Sequence, residues 1–127
     1  MKKILTLSVF LFFFTGFSFA QCGSNEVEVI IEINPDDYPN ETSWILLANN
    51  LEILTGGSNS DTICVDAEAC IQFLIYDTFG DGICCGFGDG SYAVYVDGAI
   101  VGSGGDFTTY ENATFNCPIG SSARTRI

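Results

Sequence analysis

One short segment concentrates the chemistry of this chain: Asp77-Thr78-Phe79-Gly80-Asp81-Gly82-Ile83-Cys84-Cys85-Gly86-Phe87-Gly88-Asp89-Gly90. Asp77, Asp81 and Asp89 are hard oxygen donors. Ca²⁺ takes about six to eight such ligands at roughly 2.3–2.6 Å and often recruits backbone carbonyls from glycine-rich turns. Gly80, Gly82 and Gly88 give the backbone the freedom to fold around an ion. The spacing is neither that of an EF-hand, which needs Asp-x-Asp-x-Asp-Gly and a distal Glu, nor that of the Gly-Gly-x-Gly-x-Asp repeat. The competing reading is that the Asp-Gly pairs simply make turns. Charge favours the metal: all 16 acidic residues follow residue 20, the four basic residues are Lys2, Lys3, Arg124 and Arg126, and there is no His. Converging carboxylates with no side-chain cation nearby repel one another unless an ion sits between them.

Aromatic rings supply the second kind of chemistry. Tyr38, Trp44, Phe79, Phe87, Tyr92, Tyr95 and Tyr110 could stack on sugar rings, with Asp and Asn as hydrogen-bond acceptors. Phe79 and Phe87 are the candidates for ligand binding because they lie inside the acidic loop. Trp44, Tyr92 and Tyr95 read better as core. Asn40-Glu41-Thr42 and Asn112-Ala113-Thr114 match the glycosylation acceptor pattern.

The same composition excludes much else. Without His, and without Lys or Arg between residues 21 and 123, there is no ordinary general base, no Ser-His pair and no cationic oxyanion stabiliser. A carboxylate pair of the glycosidase kind is the one remaining catalytic option, and no residue is singled out for it. The chain reads as a non-enzyme. A net charge of −12 argues against nucleic acid, which needs Lys and Arg to displace its counterions, and against anionic membrane surfaces.

Residues 1–20 read as a secretory signal peptide, with Lys2 and Lys3 ahead of an apolar stretch from Ile4 to Phe14 and a Ser18-Phe19-Ala20 cleavage pattern. The apolar run is short for a span of about 20 residues, so no membrane insertion is expected after cleavage. An uncleaved anchor and lipidation at Cys22 are the weaker alternatives. Past the leader, the chain reads as one domain over residues 21–120 and a disordered tail over 121–127. All six cysteines lie beyond the leader, which in an exported chain indicates a disulfide framework rather than free thiols or zinc. Cys22 and Cys117 flank the domain and are expected to pair. A ring closed between the neighbours Cys84 and Cys85 would be strained, so each should take one of Cys64 and Cys70, in either order, clamping the loop to the preceding strand.

The elements that must position these groups are strands. Glu26–Asn34 alternates Val27, Val29, Ile31 and Ile33 against Glu28 and Glu32. Ser43–Ala48 and Leu51–Leu54 flank Asn49-Asn50, and Tyr92–Val96 and Ala99–Gly102 flank Asp97-Gly98, two hairpin signals. Asp61–Val65, Ala69–Tyr76 and Thr108–Phe115 complete about eight strands, with Ala69–Tyr76 apolar on both faces and hence central. No helical period is present. The expected fold is an all-β, disulfide-stapled antiparallel β-sandwich of jelly-roll-like type.

Tyr38-Pro39-Asn40-Glu41-Thr42-Ser43-Trp44, Ile63-Cys64, Cys70-Ile71-Gln72-Phe73, and above all Asp77-Thr78-Phe79-Gly80-Asp81-Gly82-Ile83-Cys84-Cys85 with Gly88-Asp89-Gly90-Ser91-Tyr92 carry a resemblance. Across residues 26–116 the chain resembles a Cys-rich Gly-Asp-Gly-x-Cys-Cys module of secreted multidomain proteins of Bacteroidetes and of some algae and oomycetes. The resemblance implies a non-catalytic β-rich accessory to peptidases or adhesin-like regions. Two functional readings result. The first is a secreted or cell-surface, Ca²⁺-stabilised binding or adhesion module whose partner is an extracellular glycan or a surface protein. The second is a self-assembling structural subunit of an extracellular assembly.

Overall fold

The computed structural model describes residues 22–118, so the leader and the tail beyond 120 lie outside the described residues. Eight strands run in order: β1 (Glu26–Asn34), β2 (Thr42–Ala48), β3 (Leu51–Gly56), β4 (Asp61–Asp66), β5 (Ile71–Asp77), β6 (Ser91–Val96), β7 (Ala99–Gly104) and β8 (Tyr110–Phe115). A single 3-10 turn, Pro39–Glu41, precedes β2. The strands form two antiparallel four-stranded sheets, ordered β4-β1-β6-β7 and β3-β2-β5-β8. This is the expected eight-stranded sandwich.

Strand alternation builds the core. Val29, Ile31 and Ile33 from β1 and Tyr92, Val94 and Val96 from β6 face Trp44 and Leu46 from β2 and Ile71, Phe73 and Ile75 from β5. The sheets meet through aromatic rings: Phe73 lies 6.0 Å from Trp44 within its own sheet and 5.4 Å from Tyr92 across the interface. Tyr95 is a correction to the core reading. It falls on the opposite parity from Val94 and Val96, is only half-buried, and has Glu32 beside it. Both hairpins form where Asn and Asp accept the left-handed conformation, with φ of 51° and 66° at Asn49 and Asn50 and of 50° and 78° at Asp97 and Gly98.

The disulfides correct the expected pairing. Cys22 bonds Cys64, Cys70 bonds Cys117, and Cys84 bonds its neighbour Cys85 across a cis peptide. Cys22 and Cys117 border different sheets, and each pairs within its own. The turn closed by the Glu26 N–H on the Gly23 carbonyl folds Cys22 back beside β4, while Cys117 comes after β8, whose Phe115 stands opposite Ile71. Cys70 cannot reach the acidic loop because all of β5 separates them, about 3.3 Å per residue over seven residues. Cys64 is likewise opposite Glu28, whereas the loop packs beyond Asn34 at the far end of β1. The two inter-element disulfides therefore close one end of the sandwich.

The other end is where the chain repeatedly changes sheets. The β1–β2, β5–β6 and β7–β8 connections all cross there, since Thr42 pairs with Asp77, Asn34 with Ser91, and Tyr76 with Tyr110. Residues 35–41, 78–90 and 105–109 are thus gathered by topology alone.

Candidate functional site

Asp77 is the last residue of β5 and keeps the inward parity of Phe73 and Ile75, so its carboxylate enters the sandwich end at 4% exposure. Its Oδ2 accepts the backbone N–H groups of Gly80 (2.6 Å), Asp81 (2.7 Å) and Gly82 (3.1 Å), winding the loop around one oxygen. That winding needs positive φ, met by glycine at 80 (92°) and 82 (69°). The rest of the loop is pinned by backbone: Gly82 N–H donates to the Thr108 carbonyl, Ile83 and Cys84 N–H to that of Gly105, and Asp37 N–H to that of Phe87.

The other carboxylate oxygen of Asp77, Oδ1, is buried without a hydrogen-bond partner, as are Asp81 Oδ1 and Thr42 Oγ1. Thr42 stands directly opposite Asp77 across the β2–β5 ladder. Carboxylate oxygens of Glu41, Asp77 and Asp81 all lie within 4.8 Å of one another. Burial, then Asp77, Asp81 and Asp36, raise the Glu41 carboxyl above its usual range. Burial and the facing Asp77 carboxylate do the same to Asp81, with Asp36 adding to it and its own backbone N–H opposing it. Among the described residues there is no Lys, Arg or His, so none of their side chains compensates this charge. Orphaned buried oxygens converging without a donor have the donor set that a hard divalent cation takes.

Glu41 and Asp81 also line a cleft of about 160 Å³ whose remaining walls are Tyr38, Phe79 and Phe87. The rings are exposed, Phe79 at 71% and Phe87 at 50%, and Tyr38 meets Phe87 edge to face at 5.5 Å. Asp36 Oδ1 accepts the Tyr38 N–H at 2.9 Å, fixing that segment's turn.

Of the residues singled out from sequence, Asp77, Asp81, Phe79 and Phe87 come together, and Asp89 does not join them. Asp89 is exposed, forms an isolated bridge with Cys84, and has only the bonded Cys84 and Cys85 sulfurs for neighbours of ligand type. Glu41 stands where Asp89 was expected. Sequence reasoning passed over Glu41 and Thr42 as ligands, and named Tyr38 as a stacking aromatic without placing it beside Phe79 and Phe87, because all three lie on a different crossover. Only the β2–β5 pairing puts Thr42 against Asp77. No protein-family description matches the chain, and no curated protein or solved structure matches it.

Proposed function

We propose that the chain is an extracellular, non-catalytic binding module that holds Ca²⁺ with Glu41, Asp77 and Asp81 and presents Tyr38, Phe79 and Phe87 to a glycan. The observation that carries this reading is adjacency: Glu41 and Asp81, whose carboxylate oxygens cluster with that of the buried Asp77, are also walls of the cleft that carries the exposed aromatic rings. Exposed Phe and Tyr rings cost hydration unless a flat apolar face covers them, and the ring faces of sugars are such surfaces. The leader-like N-terminus, the disulfides and the resemblance to secreted accessory modules support an extracellular location. No helix of the described residues is long and apolar enough to cross a membrane.

The ion has a structural task in this reading. It holds the 3-10 turn that carries Glu41 against the loop that carries Asp81, and so sets the spacing of Tyr38 from Phe79. Titration calorimetry with CaCl₂ and MgCl₂, then retention on immobilised polysaccharides for wild type, Phe79→Ala and Phe87→Ala, tests it. Saturable Ca²⁺ binding with retention weakened in either Phe variant is expected. Unchanged retention in both variants refutes the aromatic cleft as the binding surface.

A further inference from the structure

We infer that the ligand is a neutral sugar carrying vicinal hydroxyls, and that these hydroxyls complete the coordination shell of the cation at the floor of the Tyr38–Phe79–Phe87 cleft. The inference rests on the proposed function and adds the class of sugar and the way it is held.

The first argument is ligand count. Ca²⁺ requires about six to eight oxygens. Asp77 offers only Oδ1, because Oδ2 is committed to three backbone N–H groups. The Asp81 and Glu41 carboxylates bring the carboxylate donors to five at most, and Thr42 Oγ1 is the one orphaned oxygen on the facing strand. With Glu41 and Asp81 each giving one oxygen, these side chains supply four donors and leave about two positions to backbone carbonyls or to groups from outside the protein. Asp77 and Thr42 are buried at 4% and 5% exposure, whereas Glu41 and Asp81 form the cleft wall. A ligand from outside would therefore approach an ion held by these residues from the cleft side. Two hydroxyls on adjacent carbons displace two waters together, with no loss of ligand number.

The second argument is charge. Asp36, Glu41, Asp77 and Asp81 lie close enough to act on one another. One divalent ion leaves this group negative, so a uronate or sulfated sugar meets net repulsion in a site with no basic side chain among the described residues. A neutral polyol meets none. The third argument is size. About 160 Å³ is below the roughly 300–1,000 Å³ of pockets for drug-sized ligands, so the cleft takes one ring, stacked on Phe79 or Phe87.

The test uses methyl α-mannoside, its 3-deoxy analogue, which retains no two hydroxyls on adjacent carbons, and galacturonic acid as probes in saturation-transfer NMR, each with CaCl₂ or with chelator, after calorimetry with CaCl₂ alone. Mannoside binding that requires Ca²⁺, weakens about tenfold or more when one hydroxyl of the pair is removed, and exceeds that of galacturonic acid is the expected result. If Ca²⁺ binds by calorimetry but the mannoside binds equally in chelator, or not at all, or galacturonic acid binds better, the inference is overturned while the cation site stands. If Ca²⁺ itself does not bind, the proposed function fails first, and the inference with it.

Discussion

Replacing Asp77 by alanine separates its two tasks, because one oxygen organises the loop and the other faces the cluster. In the presence of chelator the second task is removed, and the relief of repulsion with Glu41 and Asp81 that the substitution brings is shared by the asparagine control below. The Gly82 N–H is buried but is shared with the Thr108 carbonyl, so losing the carboxylate there costs about 0.5–1.5 kcal/mol. The Gly80 and Asp81 N–H groups are less enclosed and can turn to water, so each contributes about 0.5–1 kcal/mol. The sum is about 1.5–3.5 kcal/mol, a sizeable part of the roughly 5–15 kcal/mol that holds a domain together. For a chain of this size each kcal/mol moves the thermal midpoint by about 4–8 °C, so Asp77→Ala should melt at least about 6 °C lower. Asp77→Asn is the control: its amide oxygen still accepts the three N–H bonds, and its NH₂ can donate to Asp81. It should fall by no more than about half as much, and should lose any Ca²⁺-dependent rise. Circular dichroism melts of both variants in chelator decide the matter. Equal loss in the two, or an alanine variant within about 1 kcal/mol of wild type, would refute the role given to Asp77 Oδ2.

The same structure sets other outcomes. Gly90→Ala should destabilise severely, since a Cβ there collides with the Ile83 carbonyl and lies 2.9 Å from the Asp36 nitrogen; urea unfolding of the variant checks this. Tyr92 has its phenol raised well above the usual range by burial and then by Glu111. The stability this provides is complete below the unfolded value of about 10 and is lost as pH rises beyond it, so a phenolate absorbance titration should show Tyr92 ionising only with unfolding. In chelator, the raised Glu41 and Asp81 carboxyls make a contribution that is greatest below their ordinary values of 4.5 and 3.8 and is lost as pH rises through the raised ones. The Ca²⁺-induced rise in midpoint should run the other way and shrink on acidification, because protons and the ion compete for the same oxygens; melts across pH 4–7, with and without CaCl₂, measure both.

The strands were legible from sequence because their physics is local. Val29, Ile31 and Ile33 alternate, Asn49-Asn50 and Asp97-Gly98 supply turn chemistry, and a strand apolar on both faces, β5, lies between β2 and β8 as it should. The acidic loop was legible as a loop for the same reason. What could not be read locally was which crossover meets which. Glu41 and Asp77 are neighbours only because β2 pairs with β5, a contact between residues 36 apart in sequence for which neither segment carries a private signal. Asp89 misled because it shares the loop with Asp81, yet the chain turns at Gly88, with φ of 115°, and carries it away. The cysteine pairing failed for a reason that strand arithmetic contains: the length of β5 alone holds Cys70 apart from Cys84 and Cys85.

The most direct test of the account is Ca²⁺ titration calorimetry on three proteins at fixed ionic strength: wild type, Glu41→Gln and Asp89→Asn. Wild type and Asp89→Asn should bind one Ca²⁺ with similar affinity, and Glu41→Gln should bind at least about tenfold more weakly. A loss confined to Asp89→Asn, or no saturable Ca²⁺ binding by wild type, would contradict a cation held between the 3-10 turn and the loop.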